Sequence, residues 1–211
     1  MMKILKYLIA LVVVLFIGYN SVYFKKLSEV QAGIADGKFN TEEYTRNFWD
    51  KKLMPSLNKA IDINTLVNLL QTNPDKAFKD HAHALGIGNL QYFMIKGEGQ
   101  VVSINENDVE LNIVGAGNQR VRVATEYVYG NAVRDASGLL NMNEFDNTGI
   151  FNEVSAGINK IIRAEVLPSF KKSVAENDKV QFVGAIELNR KFLNLKDVEL
   201  TPVQLKLVRT Q

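Results

Sequence analysis

The sequence predicts an α+β protein in which an apolar N-terminal helix precedes a helical part and a strand-rich part. Three observations lead to this prediction. Residues 1–26 hold four lysines and no acidic residue around a long apolar stretch. Apolar residues then recur at helical spacing, and from Leu90 onward their period changes to two. We therefore expect an N-terminal anchor (1–26), a helical segment packed on the β domain (27–89) and the β domain itself (90–211).

Charge is unevenly distributed along the 211 residues. The chain has 25 Lys and Arg against 23 Asp and Glu, a formal charge of +2. Four of the lysines lie in the first 26 residues, so the remainder carries a net charge of −2. Because phosphate contacts need clustered cationic side chains, this balance predicts that nucleic acid is not a partner. The absence of cysteine excludes disulfides, thiolate metal sites and thiol nucleophiles within these residues.

The N-terminal apolar stretch is typical of a membrane anchor. Tyr7 to Phe24 as an α-helix would extend about 27 Å, close to the hydrocarbon thickness of about 30 Å. A cleaved signal peptide is the main alternative, and a buried core helix is another. Because no small-x-small pair follows Gly18, we expect an uncleaved single-pass anchor. A very short N-terminal tail usually stays in the cytoplasm, which would place the bulk of the chain on the outer side of the membrane.

Three short amphipathic helices are expected after the anchor. Asn40-Thr-Glu-Glu43 has the pattern of a helix N-cap followed by a capping acid, and this helix should end at Pro55. Asp62 opens the second candidate helix. Asn73-Pro74 predicts the start of a third helix, which should run to Leu85.

Three candidate strands follow between Leu90 and Thr125. Gly97, Gly99 and the Gly-rich segment 115–118 punctuate them. We interpret these glycines as hairpin or bulge residues.

A long helix and two further strands complete the β domain. The helix has an apolar stripe from Ile150 to Val166 and should end at Pro168. Strand-like segments then occur at 180–188 and 203–208. Three strands, a helix and two strands predict an OB-like five-stranded β-barrel with the long helix between strands three and four.

Residues able to perform chemistry are few. His81 and His83 are the two histidines. Residues two apart on a helix point in nearly opposite directions and cannot share one metal ion, so only an extended segment would align them. The chain has no Gly-x-Ser-x-Gly motif, no phosphate-binding glycine loop and no dinucleotide fingerprint. We therefore expect no metal, no cofactor and no enzymatic activity.

The densest polar segment lies between the third strand and the long helix. Arg134 is followed by Asp135, and Glu144 and Asn147 precede the helix that contains Asn159. These five residues could form a polar binding site or an acid–base pair, and they are our candidate binding residues.

A structural role is the alternative for the same polar residues. Asp146 or Asn147 could cap the long helix, and Arg134 could pair with a carboxylate to hold the corner after the third strand. Asn152 and Asn159 are seven residues apart and share one helix face, which suits a polar ladder or a partner contact equally.

Eight short motifs occur along the chain in a characteristic order. They are Phe48-Trp49, Leu53-Met-Pro55, Gly97-Glu-Gly-Gln-Val-Val102, Gly130-Asn-Ala-Val-Arg-Asp-Ala136, Phe145-Asp-Asn147, Ile158-Asn159, Val183-Gly184 and Thr201-Pro-Val203. Together they resemble an uncharacterised bacterial family of predicted periplasmic lipoproteins, domain of unknown function 2291. The resemblance implies an extracytoplasmic, membrane-attached protein, and members are often encoded beside components of sugar ABC transporters. Because no lipobox cysteine is present, we expect the apolar helix to anchor the chain.

Two functional hypotheses follow. The first is a non-enzymatic, membrane-tethered binding or scaffold module that docks on an ABC transporter or a periplasmic binding protein. The alternative is a small-molecule-binding barrel or weak hydrolase that uses Arg134, Asp135 and Glu144. An oligonucleotide-binding function ranks third because the folded part is weakly acidic.

Overall fold

The computed structural model describes residues 39–208 apart from 87, 116 and 118. The anchor helix predicted at 1–26 lies outside the described residues. Among the helices that are described, none is long and apolar enough to cross a membrane. The chain divides into two units, Met1–Asn40 and Thr41–Gln211.

The second unit combines helices with a six-stranded sheet. Its α-helices are α1 (Thr41–Phe48), α2 (Met54–Ser56), α3 (Ile63–Thr72), α4 (Pro74–His81), α5 (Ala132–Ser137), α6 (Thr148–Ile161) and α7 (Leu167–Ser173). Its strands are β1 (Ile61–Asp62), β2 (Leu90–Ile104), β3 (Asp108–Ile113), β4 (Arg120–Ala124), β5 (Lys179–Asn189) and β6 (Glu199–Val208). Shorter helical turns are the π-helical segments Trp49–Leu53 and Ile162–Val166 and the 3₁₀ segments Leu57–Lys59 and Met142–Glu144.

Five of the strands pair in a closed ring. The sheet order is β1-β2-β3-β4-β6-β5, and β2 also pairs with β5. Within the ring every pairing is antiparallel except that of β4 with β6. Strand β1 adds in parallel to the first half of β2. The predicted order of three strands, a long helix and two strands is thus present as β2, β3, β4, α6, β5 and β6.

Gly97 and Gly99 lie inside β2, so their interpretation as hairpin or bulge residues is wrong. β2 is one 15-residue strand whose first part pairs with β5 and whose end pairs with β3. A Cβ atom on Gly97 would lie 2.6 Å from Cγ2 of Ile63, and one on Gly99 would lie 2.9 Å from Cβ of Leu111. The two glycines therefore permit close packing within a strand that pairs with β1, β3 and β5.

Neither Pro55 nor Pro168 ends its helix, contrary to expectation. A π-helical turn, Trp49–Leu53, joins α1 to α2, and Pro55 lies in the first turn of α2. In the same way Ile162–Val166 joins α6 to α7, where Pro168 lies in the first turn. In each case the residue just before the proline makes the last π-type hydrogen bond, Met54 to Trp49 and Leu167 to Ile162. The N–H that proline lacks therefore falls where the hydrogen-bonding pattern changes, and the helical segment can continue past it.

Side-chain caps begin the two helices between β1 and β2. Asp62 accepts hydrogen bonds from the backbone N–H groups at the start of α3, and Asn73 accepts one at the start of α4, as the sequence predicts. Helix α4 ends at His81 rather than at Leu85. The chain leaves the helix there because His83 exchanges two backbone hydrogen bonds with Tyr92 of β2, at 2.8 and 2.9 Å.

The hydrophobic core fills the space between the ring of strands and helices α3, α4 and α7. Its largest fully buried side chains include Phe93, Phe182 and Leu111 from the strands and Leu66 from α3. Helix α1 packs against α6.

Candidate functional site

Helix α5 places an ion pair inside the protein directly after β4. Nε of Arg134 donates to Oδ1 of Asp135 at 2.6 Å, and the two side chains are 6% and 3% exposed. The predicted pairing of Arg134 with a carboxylate is confirmed. The attraction between the two side chains offsets part of the cost of burying each of them.

The Arg134 guanidinium also links α5 to α6. Its Nη1 donates to the backbone carbonyl of Phe151 at 3.3 Å and to Oδ1 of Asn152 at 3.2 Å. Its Cζ lies 3.8 Å from the centre of the Phe151 ring, in cation–π contact. The arginine is therefore held by contacts from both α5 and α6.

Asp135 connects the same corner to the sheet. Asn131 donates from Nδ2 to Oδ2 of Asp135 and lies 3.5 Å from the Tyr92 hydroxyl. Burial, and after it a hydrogen bond to Glu187, raises the pKa of Tyr92 to about 12. The Tyr92 phenol is consequently protonated at neutral pH and cannot act as a base.

Asn159 holds the turn that precedes α5. Its Nδ2 donates to the carbonyl of Gly130 at 2.8 Å. Gly130 has a φ of +78°, which favours glycine, so the carbonyl reaches α6 without backbone strain. Asn159 thus holds the segment 130–134 at Gly130, and Asn152, on the same face of α6, holds it at Arg134.

The structure places Glu144 and Asn147 away from the ion pair. Asn147 caps α6, since its Oδ1 accepts from the Ile150 N–H at 2.9 Å. Glu144 is exposed, and the pKa of Tyr44 is raised first by burial and then by the Glu144 charge. Within the described residues no ion pair or hydrogen bond joins Glu144 to Arg134 or Asp135. The predicted acid–base corner therefore does not assemble.

A groove lies between the turn before α5 and one face of α6, with a volume of about 490 Å³. We call it the Tyr129 groove. Its lining comprises Tyr129, Gly130, Asn131, Arg134, Asn152, Ser155, Ala156, Asn159 and Arg163. A second groove of about 550 Å³ shares Asn131 and Arg134 with it and extends toward the segment before β2.

Sequence reasoning identifies Arg134 and Asn159 in the Tyr129 groove but misses three other residues. Tyr129 is 67% exposed, and Cζ of Arg163 lies 5.0 Å from its ring centre. Ser155 is buried beside them. A signal existed, because Asn152, Ser155 and Asn159 recur at positions i, i+3 and i+7 along one helix face.

Comparison with known proteins identifies the family. Residues 12–206 match the family described as predicted periplasmic lipoproteins, domain of unknown function 2291. The chain belongs to this family. The resemblance seen in the sequence motifs is thereby confirmed, and the family description indicates an extracytoplasmic location. Comparison with curated proteins finds no match.

A solved structure similar to this family member is the crystal structure of an OB-fold protein from Thermotoga maritima MSB8. The two chains are 26% identical, and the TM-score is 0.72. The similarity covers 81% of this chain and 99% of the other. It supports a mixed α+β fold related to OB-fold proteins.

The outer face of β3 and β4 carries arginines that are already paired in this family member. Arg120 contacts Glu110 at 2.9 Å. Arg122 contacts three carboxylates, those of Asp108, Asp197 and Glu199. Acidic groups outnumber basic ones here, so the face does not offer the positive potential that phosphate binding needs.

The two histidines occupy separate structural positions. His81 is the last residue of α4. The His83 ring packs against Gly138, where an added Cβ would lie 2.5 Å from Cε1. In the part of the chain that the structure describes, no group of three His, Cys, Asp or Glu side chains could hold a metal ion.

Proposed function

We propose that this protein is a non-enzymatic, extracytoplasmic binding module, held at the inner membrane by its N-terminal segment and associated with a sugar ABC transport system. The buried Arg134–Asp135 pair is the observation that carries the proposal. The polar side chains around Arg134 and Asp135 are occupied by contacts within the protein. Few groups are left there for catalysis, and this favours a binding role.

The arrangement of acid and base groups favours binding over catalysis. Asp135 is occupied by Arg134 and Asn131, and burial raises the pKa of the Tyr92 phenol further above the neutral range. Glu144 is exposed, and in the described part of the chain it forms no ion pair with Arg134. A hydrolase would need a free general base near a nucleophile.

Membrane attachment through the N-terminal segment is supported by the sequence. Lipidation requires a cysteine, and the 211 residues contain none. The stretch from Tyr7 to Phe24 has the length and the flanking lysines of an anchor helix.

The closed ring of strands supports a finer description of the fold as an OB-type barrel. Its strand order, its one parallel pairing and the helix between β4 and β5 all fit that architecture. We propose that α6 closes one end of this barrel.

Exposed aromatic residues offer a contact surface for a transport partner. Tyr127 and Tyr129 are 64% and 67% exposed, on the segment that leads into α5. Exposed tyrosines are enriched at protein interfaces. The partner that we propose is an ABC transporter subunit or a periplasmic binding protein.

Photo-crosslinking in native membranes tests the transport association. A photoreactive amino acid replaces Tyr127 in the full chain, and captured proteins are identified by mass spectrometry. We expect a transporter subunit or a periplasmic binding protein. The matched control carries the same group at Glu106, an exposed residue in the turn between β2 and β3. Capture of no transport protein above this control would overturn the association.

The Tyr129 groove favours a second candidate function, the binding of a small molecule. Its volume of about 490 Å³ is in the range that small-molecule sites occupy. The two functions are compatible, because a module beside a transporter can bind a ligand of its own.

A further inference from the structure

We propose that the Tyr129 groove binds a small organic monocarboxylate. The proposal deepens the binding role proposed above and rests on it. Three independent features of the groove support it: an unpaired positive charge, a buried hydroxyl without a partner, and an exposed aromatic surface.

The groove has one uncompensated positive charge. Its lining includes two arginines and no acidic residue. Asp135 neutralises Arg134 from behind. Arg163 donates to the carbonyl of Val128, and no described carboxylate lies within ion-pair distance of it. A ligand with a single negative charge would balance the Arg163 guanidinium.

Ser155 contributes a hydroxyl that lacks a hydrogen-bond partner. The residue is only 6% exposed, and its Oγ has no partner among the described residues. A helical serine often bonds to the carbonyl four residues earlier, here that of Phe151. Arg134 already donates to this carbonyl, at 3.3 Å. A ligand oxygen would supply the partner that the Ser155 hydroxyl lacks.

Asn152 is oriented to donate as well. Its Oδ1 accepts from Nη1 of Arg134 at 3.2 Å. The opposite end of the amide, the Nδ2 group, therefore remains available to a ligand. Asn152, Ser155 and Arg163 are spaced i, i+3 and i+11, so their donors follow one face of the helical segment.

Tyr129 accounts for the organic part of the ligand. The ring is 67% exposed and packs against the Arg163 guanidinium. A planar or apolar group beside it would bury aromatic surface. A phosphate ester carries about two negative charges at neutral pH, twice what the single free guanidinium can balance.

Ligand titration of the purified full chain in detergent tests the proposal. Benzoate is the probe, and benzamide is its neutral control of nearly the same shape. Isothermal titration measures both, with inorganic phosphate as a third arm. We expect benzoate to bind about tenfold or more tightly than benzamide and phosphate, since a charge-assisted hydrogen bond has that effect.

Variants locate the binding in the Tyr129 groove. Arg163→Gln should weaken benzoate binding about tenfold, while Arg46→Gln, at a partly exposed arginine outside the groove, should leave it unchanged. Ser155→Ala should weaken it several-fold without lowering the unfolding temperature, which keeps the test valid even if Arg163→Gln fails to fold.

Three results would overturn the monocarboxylate site. They are equal binding of benzoate and benzamide, tighter binding of phosphate, and benzoate binding that neither variant in the groove alters. The titration needs no transporter, so its failure is distinct from failure of the crosslinking experiment.

Discussion

Nε of Arg134 meets Oδ1 of the adjacent Asp135 at 2.6 Å, and both side chains are buried between the sheet and α6. Neighbouring residues on a helix point about 100° apart, so a direct ion pair between them is unusual. It forms here because Asn131 and Asn152 hold the outer ends of the two side chains. The pair therefore joins the sheet, α5 and α6.

Removal of Arg134 alone should strongly destabilise the fold. Arg134→Met leaves the Asp135 carboxylate buried without its partner, and breaking a buried pair in this way costs about 3–5 kcal/mol. Urea unfolding of the purified protein measures the loss. In the double variant Arg134→Met/Asp135→Leu much of that loss should be recovered, because no isolated charge remains.

Arg46 provides the matched control for this prediction. It pairs with Glu165, but both side chains are about half exposed, so Arg46→Met should cost no more than about 1 kcal/mol. Equal losses for Arg46→Met and Arg134→Met would contradict the central role of the buried pair.

Replacement of Asn147 should shorten or fray α6. Asn147→Ala removes the oxygen that accepts from the Ile150 N–H and should cost about 1 kcal/mol in unfolding free energy. Asn147→Asp keeps an acceptor at the same place and should retain most of the stability. Urea midpoints of the two variants check this, and an Asn147→Asp protein as unstable as Asn147→Ala would argue against capping.

Gly184 should tolerate no side chain. An added Cβ would lie 2.5 Å from the backbone carbonyl oxygen of Thr201 on β6, beside a register shift in the pairing. Because backbone cannot yield as a side chain does, Gly184→Ala should cost about 1–3 kcal/mol or more.

Gly86 is the control for that substitution. Nothing lies within 4 Å of a Cβ built there, so Gly86→Ala should leave stability nearly unchanged. Thermal unfolding of both variants compares them. A Gly184→Ala protein that unfolds at the wild-type temperature would show that β5 and β6 can separate locally.

Tyr92 should make stability fall at alkaline pH. Burial and the hydrogen bond to Glu187 raise the pKa of its phenol from 10.0 to about 12. The folded state thus keeps a proton that the unfolded state loses above pH 10. The stabilisation by this group is complete below about pH 10 and is lost as the pH rises to about 12.

Tyr92→Phe isolates that effect. The variant cannot ionise at this position, so its urea midpoint should decline less steeply between pH 10 and 12 than that of the wild type. Since both proteins share all other titrating groups, identical slopes would refute the assignment.

Local sequence signals predicted the parts of the fold that depend on local contacts. Asp62, Asn73 and Asn147 each cap a helix as expected, because a cap needs only its own side chain and the next three residues. The order of strands and the long helix also followed from hydrophobic period. The interpretation of Gly97 and Gly99 failed, since their role depends on partners far away in the sequence.

The candidate site was predicted in part for a similar reason. The pairing of Arg134 with a carboxylate could be inferred from composition, but its burial could not. Glu144 is close to Arg134 along the chain yet forms no ion pair or hydrogen bond with it in the described structure. The sequence signal for a binding role was weak at Ser155 and Arg163, because serine and arginine on a helix usually face solvent. It was weak at Tyr129 as well.

The sequence by itself determined the family, the α+β class and the uneven charge along the chain, because motifs, period and composition are properties of the chain alone. Only the tertiary structure decided which polar groups remain available to a ligand. Asp135 is already paired with Arg134. Arg134 also donates to the Phe151 carbonyl, which is the usual acceptor for a hydroxyl at position 155. Side chains on different helices compete for these hydrogen-bond partners. Which pairs form is therefore decided only when α5 packs against α6.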